Sequence, residues 1–332
     1  MTYSSGGLIQ ATDYNTFAGN TTAGLNRIWS TGAGDAGWGQ TSIATVAASG
    51  IVTATNWATL VNNLSTTGSQ STTTITARTA PVTGNIVAIL ANVQTDITNC
   101  TTNRGNATSS GTEYGTFTGT TSKTTATSNG TAGAWTITFT HTVTFPSADQ
   151  ARYFWNAGGR VRLQYGKTST GTVEDTQWNL LAGWCGSIYI TGRVNSAAQT
   201  IASVSYTGTT RIGGTGGTQS VLSTTTGWYQ LTGTLANLFQ LSNSNTPYTG
   251  EYILTQASSS ATALTLITTW FQPASGTAGS NTSISGGTGV TSPATTIGAA
   301  TAPTTLCTYF PPSTAQGLSN TWGTPTITAA VV

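Results

Sequence analysis

Only a few residues of this chain have side chains suited to acid–base or metal chemistry. His141 is the single histidine among 332 residues. It stands in a segment where apolar residues alternate with threonines, on the apolar side. No carboxylate or cysteine is near it in the sequence to act as a proton partner or as a second metal ligand. We therefore interpret His141 as a buried structural histidine.

Glu174 and Asp175 form the only adjacent acidic pair of the chain. Two carboxylates that act together, as in a glycosidase, must face the same space. Adjacent residues of a strand point to opposite sides of a sheet. We therefore expect this pair to lie in a solvated loop, and a two-carboxylate glycosidase has no supporting motif.

Residues 32–37 read Gly-Ala-Gly-Asp-Ala-Gly and fit the G-x-G-x-x-G pattern of dinucleotide-binding loops. That pattern needs a strand before it and a helix after it, whereas a predicted helix precedes it here. We expect a tight surface loop. The three cysteines, Cys100, Cys185 and Cys307, are far apart and odd in number, which favours small buried side chains over disulfides or a zinc site. We assign no catalytic, cofactor-binding or metal-ligating residue.

The composition argues against several function classes. The chain has 10 Lys and Arg against 8 Asp and Glu, and charged residues are only 5% of it. Ten scattered cations cannot neutralise a run of phosphates, so nucleic acid is not an expected partner. No apolar stretch approaches ~18 residues, so we expect no membrane insertion. The first residues also lack the features of a signal peptide.

The best helical patterns lie in residues 1–104. Thr12 is the predicted N-cap of a first helix, Thr55 of a second and Asn85 of a third. The apolar residues of each recur at helical spacing. They are Tyr14, Phe17, Leu25 and Ile28 in the first helix, Trp57, Leu60, Val61 and Leu64 in the second, and Ile86, Ile89, Leu90, Val93, Ile97 and Cys100 in the third.

An internal repeat lies in this helical region, because residues 7–17 match residues 50–60. Each copy combines a short extended apolar segment, a threonine cap and an amphipathic helix. Chance similarity in a threonine-rich chain is the alternative, but the aromatic and aliphatic positions also align. We interpret residues 1–104 as a helical region for docking or oligomerisation.

The pattern changes to period two after a polar, linker-like segment at 105–131. From Trp135 to Phe145 the odd positions are apolar except at His141 and the even positions are threonine, which predicts a half-buried strand. A short helix follows, capped by Ser147 and ended by Gly158. The predicted fold is mainly β with an N-terminal α-helical region. An antiparallel β-sandwich or jelly-roll-like domain occupies 132–332, with further strands at 160–165, 186–190, 227–231, 251–256, 263–271 and 325–332, and a long loop at 274–304.

Four segments carry a resemblance to a known group of proteins. They are residues 9–15, Gly37-Trp38-Gly39-Gln40, residues 52–57 and residues 151–159. These segments resemble parts of virion structural proteins of tailed bacteriophages, and most closely the neck- or tail-associated, fibre-like proteins of marine phages and cyanophages. That group commonly has Gly-Tyr-Gly-Gln where this chain has residues 37–40. It offers no catalytic residues to carry over.

The resemblance implies a structural component of a tailed-phage virion, such as a tail or neck fibre or appendage, that acts in assembly and host attachment. We expect self-association, with a homotrimer as the predicted state. Other virion proteins of the neck, tail or baseplate would be partners, and assembly would take place in the host cytoplasm. The alternatives are a carbohydrate-binding adhesin domain that recognises host surface glycans and, ranked last, a tail-spike depolymerase. An ice-binding role is disfavoured, because the Thr-x-Thr pattern does not recur at a fixed period.

Overall fold

The computed structural model describes residues 10–83, 92–108, 121–122, 125–128, 135–167, 173–201, 203–245, 249–273, 294–296 and 303–332. The protein is mainly β, with antiparallel sheets in its C-terminal part and helices in its N-terminal part, so the predicted fold class is confirmed. The helices of the described residues are α1 (Ala11–Ala18), α2 (Asn26–Trp29), α3 (Ala54–Gln70), α4 (Val93–Asn103), α5 (Ala148–Asn156) and α6 (Val173–Cys185).

The helices α1 and α3 of the repeat begin at equivalent positions, each one residue after its N-cap. Gln10 caps α1 and Thr53 caps α3. The Thr53 hydroxyl accepts a hydrogen bond from Asn56 N at 3.2 Å, while Asn56 Oδ1 accepts one from Thr53 N at 2.9 Å. The predicted caps Thr12 and Thr55 were wrong. In α3 the reciprocal bond needs an amide or carboxylate three residues after the cap. Thr53 has Asn56 there, whereas Thr55 has Ala58, and α1 begins at the equivalent position of the repeat.

The two copies of the repeat pack against each other. The rings of Tyr14 and Trp57, which are equivalent in the repeat, meet edge to face at 5.3 Å. Leu25 and Ile28 are buried as predicted, but at the short helix α2 rather than in α1. The third predicted helix is described from Val93 onward, and its predicted cap Asn85 lies outside the described residues.

Two sheets and a hairpin contain the strands. The strands are β1 (Thr121–Ser122), β2 (Thr125–Ser128), β3 (Trp135–Thr144), β4 (Arg160–Gly166), β5 (Ser187–Thr191), β6 (Gln199–Ile201), β7 (Val204–Tyr206), β8 (Thr209–Ile212), β9 (Thr218–Leu222), β10 (Ala236–Ser242), β11 (Tyr252–Ser259), β12 (Ala263–Gln272), β13 (Ala294–Thr296), β14 (Thr304–Phe310) and β15 (Thr326–Val331). The small sheet has the order β1-β14-β4-β5-β8 and the large sheet the order β13-β2-β3-β12-β11-β10-β9, with β15 also paired to β3. β6 and β7 form the hairpin.

The two sheets face each other as a sandwich. Tyr165 Oη of the small sheet lies 2.7 Å from Thr255 Oγ1 of the large sheet. Trp270 Nε1 of the large sheet donates to Thr305 Oγ1 of the small sheet at 3.4 Å. In β3 the side chains of Ile137, Phe139 and Val143 point into this core and the threonines point away from it. The predicted strand, its period and the orientation of its two faces are therefore confirmed.

Helix α5 confirms the predicted element between two strands. The Ser147 hydroxyl accepts a hydrogen bond from Gln150 N at 3.2 Å, as an N-cap does. Gly158 follows the helix with a φ of 108°, a backbone conformation that favours glycine. At this end of the sandwich the Phe154 ring packs on Phe145 at 5.1 Å and on Tyr309 at 5.9 Å.

Helix α6 corrects the loop that we expected around Glu174 and Asp175. Both residues lie in the first turn of α6. The helix forms because Trp178, Leu181 and Cys185 recur at helical spacing and are buried. Trp178 packs on the Trp270 ring at 5.5 Å.

The strand predicted at 227–231 is also wrong. The chain there forms a 3₁₀ turn at Trp228–Gln230. Gly227 N donates to Gln230 Oε1 at 3.0 Å, and this bond closes the turn. The strand predictions at 160–165, 186–190, 251–256, 263–271 and 325–332 are confirmed, including the hairpin of β11 and β12.

A continuous set of buried apolar side chains runs from the N-terminal helices into the sandwich. Helix α4 continues as a 3₁₀ turn to Asn106, and β1 and β2 lie within the segment expected to be linker-like. The domain boundaries at 104 and 131 stay predictions. Within the described ranges no helix is long and apolar enough to cross a membrane.

Candidate functional site

Polar contacts concentrate where the N-terminal region meets α5. We call this region the junction and define it as residues 31–40 together with α5 and the side chains that bind them. It contains the G-x-G-x-x-G segment together with residues 37–40 and 151–159, two of the four segments on which the expected resemblance to virion proteins rests. The junction is therefore the place where sequence motifs and geometry coincide.

The glycine loop acts as a hydrogen-bond acceptor. Gly34 O accepts from Arg152 Nε at 3.2 Å and from Asn156 Nδ2 at 3.4 Å. Gly37 O accepts a further bond from Asn156 Nδ2 at 3.1 Å. A phosphate-binding loop instead presents backbone N–H groups to its anion. The loop thus ties the N-terminal region to the sandwich.

Asp35 lies in the same loop and forms an ion pair with Arg104. Arg104 Nη2 lies 2.8 Å and 2.9 Å from the two carboxylate oxygens. The carboxylate also accepts a hydrogen bond from Asn195 N at 2.8 Å. Asn195 has a φ of 56°, which is uncommon for a residue other than glycine. Asp35 therefore joins the end of α4 to a turn of the sandwich.

Residues 37–40 pack directly on α5. Trp38 Nε1 donates to Asn156 O at 2.9 Å, and the Trp38 side chain is buried. Gly39 has a φ of 71° and lies against the Tyr153 ring, so close that a Cβ atom would stand 2.4 Å from it. Gln40 Nε2 donates to Ser319 O at 3.0 Å. The two motifs, far apart in the sequence, thus form one packed unit.

The electrostatics of the junction arise from burial and neighbouring charges. Tyr229 Oη donates to Asn156 Oδ1 at 2.6 Å. Burial raises the pKa of Tyr229 well above its ordinary value, while Arg152 acts in the opposite direction. The hydroxyl therefore stays protonated at neutral pH and remains a donor. These side chains are engaged with one another, which suits a structural crosslink.

His141 lies between the two sheets, as the sequence predicts. Its side chain is fully buried. Burial lowers its pKa to about 4, and a contact with the backbone of Thr305 opposes that shift. The imidazole is therefore uncharged at neutral pH. The three cysteines are likewise buried and free, as predicted, and burial raises the pKa of Cys100 to about 11.

Comparisons with protein-family models, with curated proteins and with solved structures gave no match. No group of three or more His, Cys, Asp or Glu side chains that could hold a metal ion occurs in the part of the chain that the structure describes.

The outward surface of the large sheet carries no charged side chain on five of its strands. We call it the neutral face and define it by the outward residues of β15, β3, β12, β11 and β10. These are Thr326, Thr328, Ala330, Thr136, Thr138, Thr140, Thr142, Thr144, Ala263, Thr265, Ile267, Thr269, Phe271, Tyr252, Leu254, Gln256, Ser258, Asn237, Gln240 and Ser242.

The outward surface of the small sheet is different. We call it the aromatic face and define it by Arg160, Arg162, Gln164, Tyr189 and Phe310. The Arg160 guanidinium lies over the Phe310 ring at 4.3 Å. Arg162 stands directly opposite Tyr189 on the neighbouring strand, and both are half-buried. This face combines aromatic rings with cationic donors.

Sequence reasoning missed the junction. Arg152 and Asn156 are spaced i, i+4 in α5 and so share one side of the helix, which was the available signal. Their acceptors in the glycine loop are 116 to 122 residues away in the sequence. Spacing alone cannot reveal such a contact.

Proposed function

We propose that this chain is a structural component of a tailed-phage virion, as a tail or neck fibre or appendage that acts in assembly and host attachment. The observation that carries the proposal is the packing of residues 37–40 on α5. Both segments resemble virion proteins of tailed phages, and they contact each other through Trp38, Gly39 and Asn156. Such packing is expected if the resemblance extends to the fold of the whole chain.

The composition of the surface supports a role inside an assembly. The chain has 5% charged residues, where a typical soluble domain has roughly 25%. A surface this poor in charge resists aggregation weakly when it is left free. Burial against sister copies and other virion proteins removes that liability. The proposal therefore includes a homotrimer and partners in the neck, tail or baseplate.

The N-terminal region supplies a second kind of contact in this proposal. Ile51 is 84% exposed and Val82 is 65% exposed, so both side chains lie on the surface of this region. Both belong to the region that we interpret as docking the chain to the particle. The sandwich would then project from it. The role assigned to the chain is structural rather than catalytic.

The test is to purify particles from the lysate of the host culture that carries this gene. Intact particles are separated on a density gradient, and their proteins are quantified by mass spectrometry. We expect the chain to co-purify with major capsid protein at a constant ratio across the particle peak. Recovery only in the fractions of free protein would reject a virion role.

Glycan binding is a second candidate function, and the aromatic face favours it. Tyr189 presents a half-buried ring opposite Arg162, whose guanidinium can donate hydrogen bonds to sugar hydroxyls. Aromatic rings pack well against the apolar side of a sugar. On a glycan array, Tyr189→Ala should abolish binding that the parent chain shows, whereas Tyr252→Ala on the neutral face should keep it. Equal loss in both variants, or no binding by the parent chain, would reject this site.

A further inference from the structure

The neutral face has a regular arrangement of side chains. The register of the strands places Thr328, Thr142, Thr265 and Ser258 in one row across the sheet, and Ala330, Thr140, Ile267 and Gln256 in the next. Hydroxyl, amide and aliphatic groups therefore alternate over the surface. The only titratable side chain among its outward residues is the Tyr252 phenol, whose pKa burial raises. The face is thus uncharged at neutral pH.

Apolar side chains lie near the centre of the neutral face and along one border. Leu254 and Ile267 are half-buried on the two central strands β11 and β12. Tyr252 and Phe271 stack with their ring centroids 4.7 Å apart and an interplanar angle of 18°. Thr140 and Thr136 of β3 stand directly opposite Ile267 and Phe271. The surface is therefore mixed in polarity but lacks charge, as the core of a protein interface does.

The neutral face is large enough to take part in the contacts of a trimer. Strands about 4.8 Å apart with a rise of about 3.4 Å per residue give roughly 650 Å² of sheet for its outward residues. A standard interface between two partners buries about 800 Å² on each. Each copy in a closed trimer contacts two neighbours, so this area is divided between two contacts and residues at the borders of the face must add to both.

The absence of charge on the neutral face also indicates which kind of partner it fits. A charged partner surface would lose its hydration on this face without gaining an opposite charge, which is costly. A sister copy presents the same uncharged array and brings no such penalty. We propose that the neutral face is the surface through which copies of this chain pack around the axis of the homotrimer. This inference rests on the self-association in the proposed function.

The test compares two matched leucines. Leu254 lies on the neutral face, and Leu306 is a half-buried outward residue of β14 in the small sheet. Leu254→Lys places an unpaired charge in the proposed interface, whereas Leu306→Lys places one outside it. Mass photometry and light scattering give the oligomeric state, and circular dichroism reports the fold.

The parent chain and Leu306→Lys should be trimers at micromolar concentration. Leu254→Lys should be a folded monomer, with association weakened about a hundredfold or more. Thr140→Lys serves as the second variant on the face, because its side chain is smaller and its strand is central. Trimers in both folded face variants would overturn the inference, as would equal dissociation of Leu306→Lys.

The quantification of purified particles keeps this inference separate from the proposed function. If the parent chain is monomeric in solution and its copies do not contact one another in particles, the proposed interface is overturned. If the chain still co-purifies with particles, the virion role stands. If the chain is absent from particles but forms a trimer in solution that depends on Leu254, the virion role is rejected and the interface is supported.

Discussion

The two outward faces of the sandwich differ in the side chains they present. The neutral face consists of threonine, serine, amides and a few apolar residues, whereas the aromatic face holds Arg160 and Arg162 among aromatic rings. Both faces belong to antiparallel sheets with the same inward alternation. The fold alone therefore does not determine them. The difference shows that the charged side chains lie on the aromatic face and are absent from the neutral face, which is the face proposed to contact sister copies.

The junction adds a third pattern, in which nearly every polar group has a defined partner. Arg104 and Arg152, two of the ten cations, bind the loop that contains Gly34 and Asp35. Directed hydrogen bonds fix the fold there. On the neutral face, undirected hydroxyl and apolar groups leave the surface free for association. Variants in these regions should accordingly affect stability and assembly separately.

The largest difference in stability is expected between a variant on the inner side of β3 and a variant on its outer side. Phe139 is fully buried, and Thr138 is half-buried on the neutral face. Phe139→Ala should lower the free energy of unfolding by about 2–5 kcal/mol, because it leaves a cavity. Thr138→Ala should change it by no more than about 0.5 kcal/mol in the monomer. Urea unfolding of both variants in the Leu254→Lys background, which should be monomeric, measures both changes. Equal and large losses would show that both sides of the strand are buried within one chain.

The stability of the protein should also depend on pH, because His141 lies on the inner side of the large sheet. The unfolded His141 takes up a proton near pH 6.5, whereas burial holds the folded pKa at about 4. Its contribution to stability is complete above pH 6.5 and is lost as the pH falls to about 4, which amounts to about 3 kcal/mol. Unfolding midpoints at pH 7 and pH 5 should differ less in His141→Gln than in the parent chain. An unchanged difference would place the pH dependence elsewhere.

A matched pair of asparagines compares the junction with the neutral face. The Asn156 side chain bonds Gly37 O and Tyr229 Oη in a buried site, whereas Asn237 is exposed and accepts one bond from Gln256. Asn156→Ala should cost about 1–3 kcal/mol, because it leaves buried groups unpaired. Asn237→Ala should cost less than about 0.5 kcal/mol. If thermal unfolding shows similar shifts for both, the junction does not support the fold.

The smallest effects are expected from salt and chelators. Only three ion pairs lie in the described ranges, and that of Arg152 with Asp149 is partly exposed. Salt screens charges, so raising it to seawater strength should move the melting temperature little. Chelators should leave it unchanged. A chelator-dependent fall of several degrees in differential scanning fluorimetry would demonstrate a metal site.

The alternation of apolar and polar residues allowed many strands of the sandwich to be predicted. The strand from Trp135 to Thr144 and the hairpin of β11 and β12 show the alternation of a half-buried strand in the sequence itself. Strand β10 does not, because a bulge places Leu238 and Phe239 next to each other in the core. Strand β9 has its two apolar residues, Val221 and Leu222, next to each other and so carries no apolar period. Both strands were therefore missed.

The starts of the helices and the contacts of the junction could not be predicted, because they depend on interactions that a sequence pattern does not show. Thr53 and Thr55 are equally good cap residues by type, and only the reciprocal bond with Asn56 decides between them. The ring of Tyr153 against Gly39 likewise depends on tertiary packing. Predictions from one sequence identified the motifs but not their mutual contact.

The most direct test of the central claim is a cryo-electron microscopy reconstruction of intact particles released by the host culture that carries this gene. The account predicts density at the neck or tail into which the sandwich fits, in copies related by a symmetry axis. The neutral faces of those copies should meet, and residues 1–104 should contact the particle. A complete reconstruction with no density for the chain, although the cells produce it, would contradict a structural role in the virion.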